Sequence, residues 1–216
     1  MVIGLLGGVG SGKSTAAGLF EEIGAEVVDA DRLAHEVLRG PAASRKVAER
    51  FGPEVLGPDG EVDRRRLGER VFSDRKALED LEAIVHPPVL EAVRERIRRH
   101  RRAAGGLPAP LLVLDVPLLA ESPLRGECDA FVFVDAGLAE RRSRTAPRGW
   151  APGDLDRREK HQLPIEEKRR LARWVADNSG SIDRLRSEIA RIGAEARSMG
   201  AHGGIPGRPP GAGKTV

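Results

Sequence analysis

The sequence predicts an α/β protein: a doubly wound parallel sheet of about five strands, with an inserted helical cap and an arginine-rich lid. Three observations predict it. Short apolar runs, among them VIGLL, LLVLD and AFVFV, alternate with helix-period segments, and near-continuous apolar runs suit parallel strands buried on both faces. The first run feeds a glycine-rich turn, GGVGSGKST, and then a helical pattern. Residues 41–107 carry helical periodicity without a strong strand, as an insert would. The expected organisation is a core of residues 1–40 and 108–199 with its lid near 141–160, the insert, and a disordered Gly/Pro tail at 200–216.

The turn after the first strand has the form GxxxxGK[ST], from Gly7 to Ser14, between a candidate strand and a candidate helix. Glycine at 8, 10 and 12 lets several backbone N–H groups point inward to cradle anionic oxygens at a helix start, where the helix dipole adds positive charge. Lys13 can reach the β and γ phosphates of a nucleotide, and the Ser14 hydroxyl can hold magnesium. Gly8, Gly10, Ser11, Gly12, Lys13, Ser14 and Thr15 are therefore the candidate ATP-binding residues, with Mg2+ as the metal. Strand, loop and helix in this order are the architecture of P-loop NTPases.

Each later element follows from its own pattern. Ala16, Leu19, Phe20 and Ile23 recur at helical spacing before Gly24. Val27 and Val28 form a short strand running out into Asp29 and Asp31, at the carboxyl edge where ligands bind in such sheets. A helix starting near Asp31 carries Leu33, Ala34, Val37 and Leu38. In the insert, Val47–Phe51, a GPDG turn at Gly57–Gly60, Leu67–Phe72 and a helix from Arg75 follow in turn. The run LEAIVHPPVLEAVRERIRRHRR is expected to break at Pro87-Pro88. LLVLDVPLL at 111–119 reads as a buried strand ending in Asp115, Pro117 and later Glu121, and AFVFV as another, closed by Asp135. An arginine-dense stretch from Arg141 to Arg158 reads as a basic flap. A helix over about 164–172, a short strand at Trp174-Val175, and a last amphipathic helix opened by Ser181 or Asp183 complete the core. The tail motif GAGKT is not a second phosphate loop, because no strand precedes it and no helix follows.

Composition narrows the function. The net charge of +3 and pI near 9.4 arise from 36 Lys and Arg against 33 Asp and Glu, a balance that nucleotide phosphates satisfy. With five Phe, two Trp and no Tyr there is no base-stacking platform. A lone cysteine, Cys128, excludes an internal disulfide and reads as a small buried apolar side chain. No apolar stretch has the length of a membrane span and no basic leader opens the chain. The expectation is a soluble, cytoplasmic protein, monomeric or weakly self-associating, without nucleic-acid or membrane partners. A GTPase switch would need NKxD, which does not occur. A motor would show Asp-Glu at a strand end, whereas Asp115 is followed by Val116 and Pro117. A small-molecule kinase needs a cradle, a carboxylate near the acceptor, an insert and an arginine lid, and all four occur in order. The competing class is a non-catalytic nucleotide-dependent RNA binder using the basic run Arg94–Arg102.

Collectively, GGVGSGKST, VVDADRLAHEV, FGPEVLGPDGEVDRRRLGERVF, EAIVHPPV, LDVPLLAE, RGW and DNSGS resemble the dephospho-CoA kinase family, from Val2 to about Ile192. The resemblance implies transfer of the ATP γ-phosphoryl to the ribose 3′-hydroxyl of dephospho-CoA. It implies that Asp31 is the catalytic carboxylate, a role that can coexist with a helix N-cap, and that Asp29 is a candidate for magnesium contact through water. Arg64, His86, Pro117, Leu118, Leu119 and Glu121 match acceptor-side positions; His86 is equally a packing residue by type, and Glu121 could instead stabilise the cap. Lys13, Arg144 and Arg148 match the groups that would act on the transferring phosphoryl, and Asn178 resembles a turn near the adenine. The chain departs from the family pattern at Arg173, Ala176 and Pro147.

Overall fold

A computed structural model describes residues 1–71, 74–103, 110–149 and 153–201, with the side chains of Arg148 and Ala201 excluded. The tail expected to be disordered lies outside these residues from position 202 onward, as does Trp150 of the RGW motif. The chain divides into two compact units: Met1–Val28 together with the chain from Ile97 onward, and Asp29–Arg96.

The first unit is built on a five-stranded sheet. Its strands are β1 (Val2–Leu6), β2 (Glu26–Asp29), β3 (Leu112–Asp115), β4 (Ala130–Asp135) and β5 (Trp174–Asp177), ordered β2-β3-β1-β4-β5. Strand β1 pairs in parallel with β3, Val2 opposite Leu112, and with β4, Leu6 opposite Phe133; β4 pairs in parallel with β5, Asp135 opposite Asp177. Successive strand residues point to opposite faces, so burying both faces demands apolar residues at every position, and all five residues of β1 are buried.

On one face Ile3, Leu5, Val113, Val132 and Val134 join Leu19 and Phe20 of α1 (Lys13–Glu22) and Leu185, Ile189 and Ile192 of α9 (Ile182–Ala201) in one core. The C-terminal end of α1 is closed by Gly24, in the left-handed region at φ 81°, and by Arg197, whose Nη2 donates to Ile23 O at 2.6 Å. The last helix is capped by Ser181, whose Oγ accepts from Arg184 N at 3.3 Å. Gly4 looks out from β1 toward Phe131 and Leu119: a Cβ there would lie 2.6 Å from Leu119 Cδ2 and 2.7 Å from Phe131 Cδ1. Cys128 is buried as expected, and desolvation pushes its thiol up to about 12, which leaves it unreactive.

The second unit holds α2 (Ala30–Arg39), α3 (Pro41–Phe51), a single 3-10 turn at Pro53–Val55, α4 (Arg64–Val71) and most of α5 (Arg75–Ala103). Helix α2 groups here rather than with the sheet, so this unit opens earlier than residue 41 and closes before 107. Val47, Phe51, Val55, Leu67, Val71 and Ala77 form its core. The GPDG turn is closed by Gly57 N on Glu61 O at 2.8 Å, with Leu56 bridging Val62. Asp63 caps α4, accepting from Arg65 N and Arg66 N, and the Arg66 backbone bond above all holds its carboxyl below the usual carboxylate range.

The expected break at Pro87-Pro88 does not occur. Helix α5 runs through both prolines. Val85, Val89, Val93 and Ile97, four apart, are all buried, forming one stripe across the proline site while the proline rings stay exposed. Burying four such side chains contributes about 1.5–3 kcal/mol each, enough to offset about 3 kcal/mol for a helix-interior proline. Among the described residues no helix is long and apolar enough to cross a membrane.

Two stability outcomes follow from these contacts. Gly4→Ala should destabilise by about 1–3 kcal/mol, the scale of core overpacking, read as a lower urea midpoint. The second concerns His100, which is buried with Nε2 3.2 Å from the Met1 amino group. Desolvation, then the positive amine, lower its pKa, against smaller opposing effects of Glu26 and Asp129. The unfolded chain therefore takes up a proton that the folded chain resists. Stability is full above about pH 6.5 and falls as pH drops through the lowered folded value. The urea midpoint should decline between about pH 7 and pH 5, and His100→Gln should flatten that decline.

Candidate active site

Strand β1 ends at Leu6 and α1 begins at Lys13, so six residues must turn the backbone and open a helix. Gly10 and Gly12 take φ 76° and 91°, values open to glycine but costly for other residues. Space also selects them. A Cβ on Gly10 would lie 2.8 Å from Arg141 O and 2.9 Å from Thr145 Cγ2, and one on Gly12 would collide with the Asn178 amide. Among the described residues no side chain caps the start of α1, and uncapped first-turn amides at a helix start are suited to binding an anion. Lys13 Nζ folds back to Gly8 O at 3.4 Å. Ser11 Oγ is buried and has no hydrogen-bond partner among the described residues.

The loop is braced from behind by groups that arrive from α6 (Leu138–Thr145), α7 (Asp154–Glu159) and the turn after β5. Asn178 Nδ2 donates to Ser11 O at 2.8 Å, while Arg144 Nη1 donates to the same oxygen at 3.3 Å and Arg144 Nη2 to Asn178 O at 2.6 Å. Asn178 is itself anchored to the sheet, its N–H donating to Asp135 O at 2.7 Å. On the other side of the loop, Glu159 Oε1 accepts from Val9 N at 3.0 Å and pairs with Arg141. The structure thus gives Asn178 a supporting role at the loop backbone, whereas the sequence suggested only the adenine side. Arg141, expected as part of a flap, is a buried residue of α6. The backbone of Arg148 closes a 3-10 turn after Pro147, and its side chain lies outside the description.

Strand β3 ends at Asp115, and the chain turns at Leu118, a non-glycine residue at φ 54° whose carbonyl accepts from Glu121 N at 3.0 Å and Ser122 N at 2.9 Å. Leu118 is 48% exposed, an unusual state for a leucine held in the left-handed region, while Leu119 is buried against the Gly4 side of the sheet. Glu121 accepts from Leu163 N at 2.6 Å and pairs with Lys168 Nζ at 3.3 Å; Lys168, 4% exposed, also donates to Gln162 Oε1 at 2.8 Å. Its carboxylate is therefore engaged in tying the loop after β3 to the start of α8 (Ile165–Leu171).

In the second unit, Asp29 rather than Asp31 caps α2: its Oδ1 accepts from Arg32 N at 3.0 Å. The helix starts one residue earlier than the sequence suggested, so the N-cap reading passes to Asp29. Asp31 sits in the first turn, exposed, with no hydrogen bond or ion pair among the described residues. Arg64 opens α4, exposed and without an ion pair among the described residues, and His86 is exposed on α5.

The donor set suits magnesium. Ser14 is exposed in the first turn of α1 and its hydroxyl makes no hydrogen bond among the described residues. A magnesium ion takes one or two protein oxygens and completes its shell with water and phosphate, so a single free hydroxyl beside the cradle is a sufficient protein ligand.

Sequence reasoning missed Arg141, Glu159 and Lys168. The spacing of Arg141 and Arg144 places both on one helix face, a usable signal, but the Glu159–Val9 contact joins residues 150 apart and has no local signature. EEKRR reads as a solvated face although Lys168 is buried. Glu121→Gln should cost about 1–3 kcal/mol, since it leaves the buried Lys168 ammonium without its counter-charge, and should lower the melting temperature more than Lys168→Met does, which leaves only an accessible carboxylate behind.

Residues 1–184 match the family model for dephospho-CoA kinase. A dephospho-CoA kinase of Anaeromyxobacter dehalogenans is 43% identical over 211 residues, 97% of this chain and 98% of the relative. One from Carboxydothermus hydrogenoformans is 39% identical over 193 residues, 88% of this chain and 92% of the relative. The solved dephospho-CoA kinase from Campylobacter jejuni shares the fold, with TM-score 0.68, 21% identity, and coverage of 90% of this chain and 96% of that one. On these matches the chain belongs to the dephospho-CoA kinase family.

Proposed function

We propose that this protein transfers the γ-phosphoryl group of ATP to the ribose 3′-hydroxyl of dephospho-CoA, giving coenzyme A and ADP, in the cytoplasm and without nucleic-acid or membrane partners. Family membership supports the reaction. Within the chain, the observation that carries it is the contrast between two neighbouring carboxylates: Asp29 is engaged in the α2 cap, and Asp31 is exposed, with no hydrogen bond or ion pair among the described residues.

In this reading the first-turn amides of α1 and Lys13 receive the β and γ phosphates, and Ser14 holds magnesium. When bound, that ion neutralises phosphate charge. Asp31 accepts a hydrogen bond from the acceptor hydroxyl and orients it for in-line attack. Positioning is the main demand, because phosphoryl transfer asks little covalent chemistry of the protein. Arg144 and Arg148 stabilise charge on the transferring group. Arg64 and His86 serve the acceptor, with Pro117 and the exposed Leu118 as its apolar wall. Leu119 supports that wall from the core, and Glu121 holds the loop through Lys168. The protein acts as a monomer or a weak homo-oligomer.

A coupled ADP assay with ATP, magnesium and dephospho-CoA should show turnover and yield coenzyme A, and none with magnesium removed by a chelator. Turnover only with a nucleoside monophosphate or a sugar acid would sink this acceptor assignment. Asp31→Asn should lower kcat by about 10²-fold or more, the scale of a lost acid–base group, with the KM for ATP changed far less. Loss of ATP affinity alone would assign Asp31 to the metal or to structure.

A further inference from the structure

We propose that Arg141 and Glu159 form a positioning pair that presets the phosphate loop for nucleotide through the backbone N–H and C=O of Val9. The inference rests on the proposed use of ATP, but it concerns how the loop is held rather than what accepts the phosphoryl group. Glu159 Oε1 accepts from Val9 N at 3.0 Å, and Arg141 Nη1 donates to Val9 O at 3.4 Å as well as to that carboxylate oxygen. The backbone N–H and C=O of one residue, which belong to the two successive peptide units on either side of its Cα, are thereby held by a pair of opposite charges. The side chains are 8% and 19% exposed, so solvent competes weakly and removal of either member leaves the other poorly compensated.

The geometry restricts the loop further. A Cβ on Gly8 would lie 2.7 Å from Arg141 Nη1 and 2.9 Å from Glu159 Oε1, and one on Gly10 would lie 2.8 Å from Arg141 O. The loop therefore rests directly on the pair. Because Arg141 belongs to α6 and Glu159 to α7, the same contact ties the two helices that flank positions 150–152 to the loop. Arg142 and Asp156, 3.6 Å apart, repeat that link on the exposed side. A loop whose amides are already aimed spends less of its binding free energy on ordering.

The test reads nucleotide affinity. In Glu159→Leu, calorimetric titration with a non-hydrolysable ATP analogue and magnesium should show binding weakened about tenfold, the scale of one lost charge-assisted hydrogen bond. The KM for ATP should rise in parallel, with the KM for dephospho-CoA unchanged. Glu159→Gln, which keeps an acceptor for Val9 N–H, should fall between the variant and the wild type. Unchanged analogue affinity in a folded Glu159→Leu protein, or equal losses for both substrates, would overturn the proposal. Should that variant not fold, hydrogen exchange on the nucleotide-free wild type decides: the Val9 amide should exchange about tenfold or more below its intrinsic rate, and an unprotected amide would overturn it. A wild type that binds the analogue but does not phosphorylate dephospho-CoA would instead refute the proposed reaction and leave this inference standing.

Discussion

Everything at the donor site depends on holding a chain of backbone dipoles in one orientation. A turn that places several N–H groups on one side brings like ends of dipoles together, and its glycines lose more conformational freedom on ordering than other residues would. Such a loop is a good anion cradle only if other contacts offset those costs before the anion arrives. Here they come from groups far away in sequence. Arg144 and Asn178 converge on the Ser11 carbonyl, and Glu159 takes the Val9 amide. The carbonyls are pulled backward, and among the described residues no side chain caps the amides of the α1 first turn.

The strand order explains why those groups are available. Strand β1 is central, with β4 and then β5 on one side and β3 and then β2 on the other. The chain leaves β4 into α6 and leaves β5 into the Asn178 turn, so the β4–β5 side supplies the braces. The segment after β3 instead carries Pro117 and Leu118, whose backbone is held in a strained turn while Glu121 is fastened by buried Lys168. A parallel sheet places every strand's exit at the same edge. The braces and the Pro117–Leu118 turn therefore lie on opposite flanks of one loop and do not compete for the same positions.

The sheet was legible in the sequence because strands buried on both faces have no polar positions to hide them; VIGLL and AFVFV admit little else. The phosphate loop was legible because its chemistry is local, with glycines, lysine and serine at fixed offsets. Other features depended on distance. Pro87-Pro88 signals a helix end by every local rule, but the buried stripe from Val85 to Ile97 outweighs the rule. In DAD, either aspartate could cap α2, and a one-residue difference in where the helix starts gave the cap to Asp29. Glu159 and Lys168 look like ordinary surface charges in sequence, because what buries them is the approach of segments the local pattern does not describe.

The two arginines of α6 separate structural from electrostatic work. Arg141 is buried and faces a carboxylate, so its charge is compensated where it stands and contributes geometry. Arg144 is exposed and is held by two neutral carbonyls, with no acidic partner among the described residues. A guanidinium in that state is positioned but not neutralised, so its field reaches the loop mouth and adds to the positive end of α1. Reversing the two partners would lose both effects. A carboxylate on Arg144 would cancel charge at the mouth, and carbonyls alone at Arg141 would leave a buried cation without compensation. Their spacing of three residues along one helix face delivers both functions to the same loop.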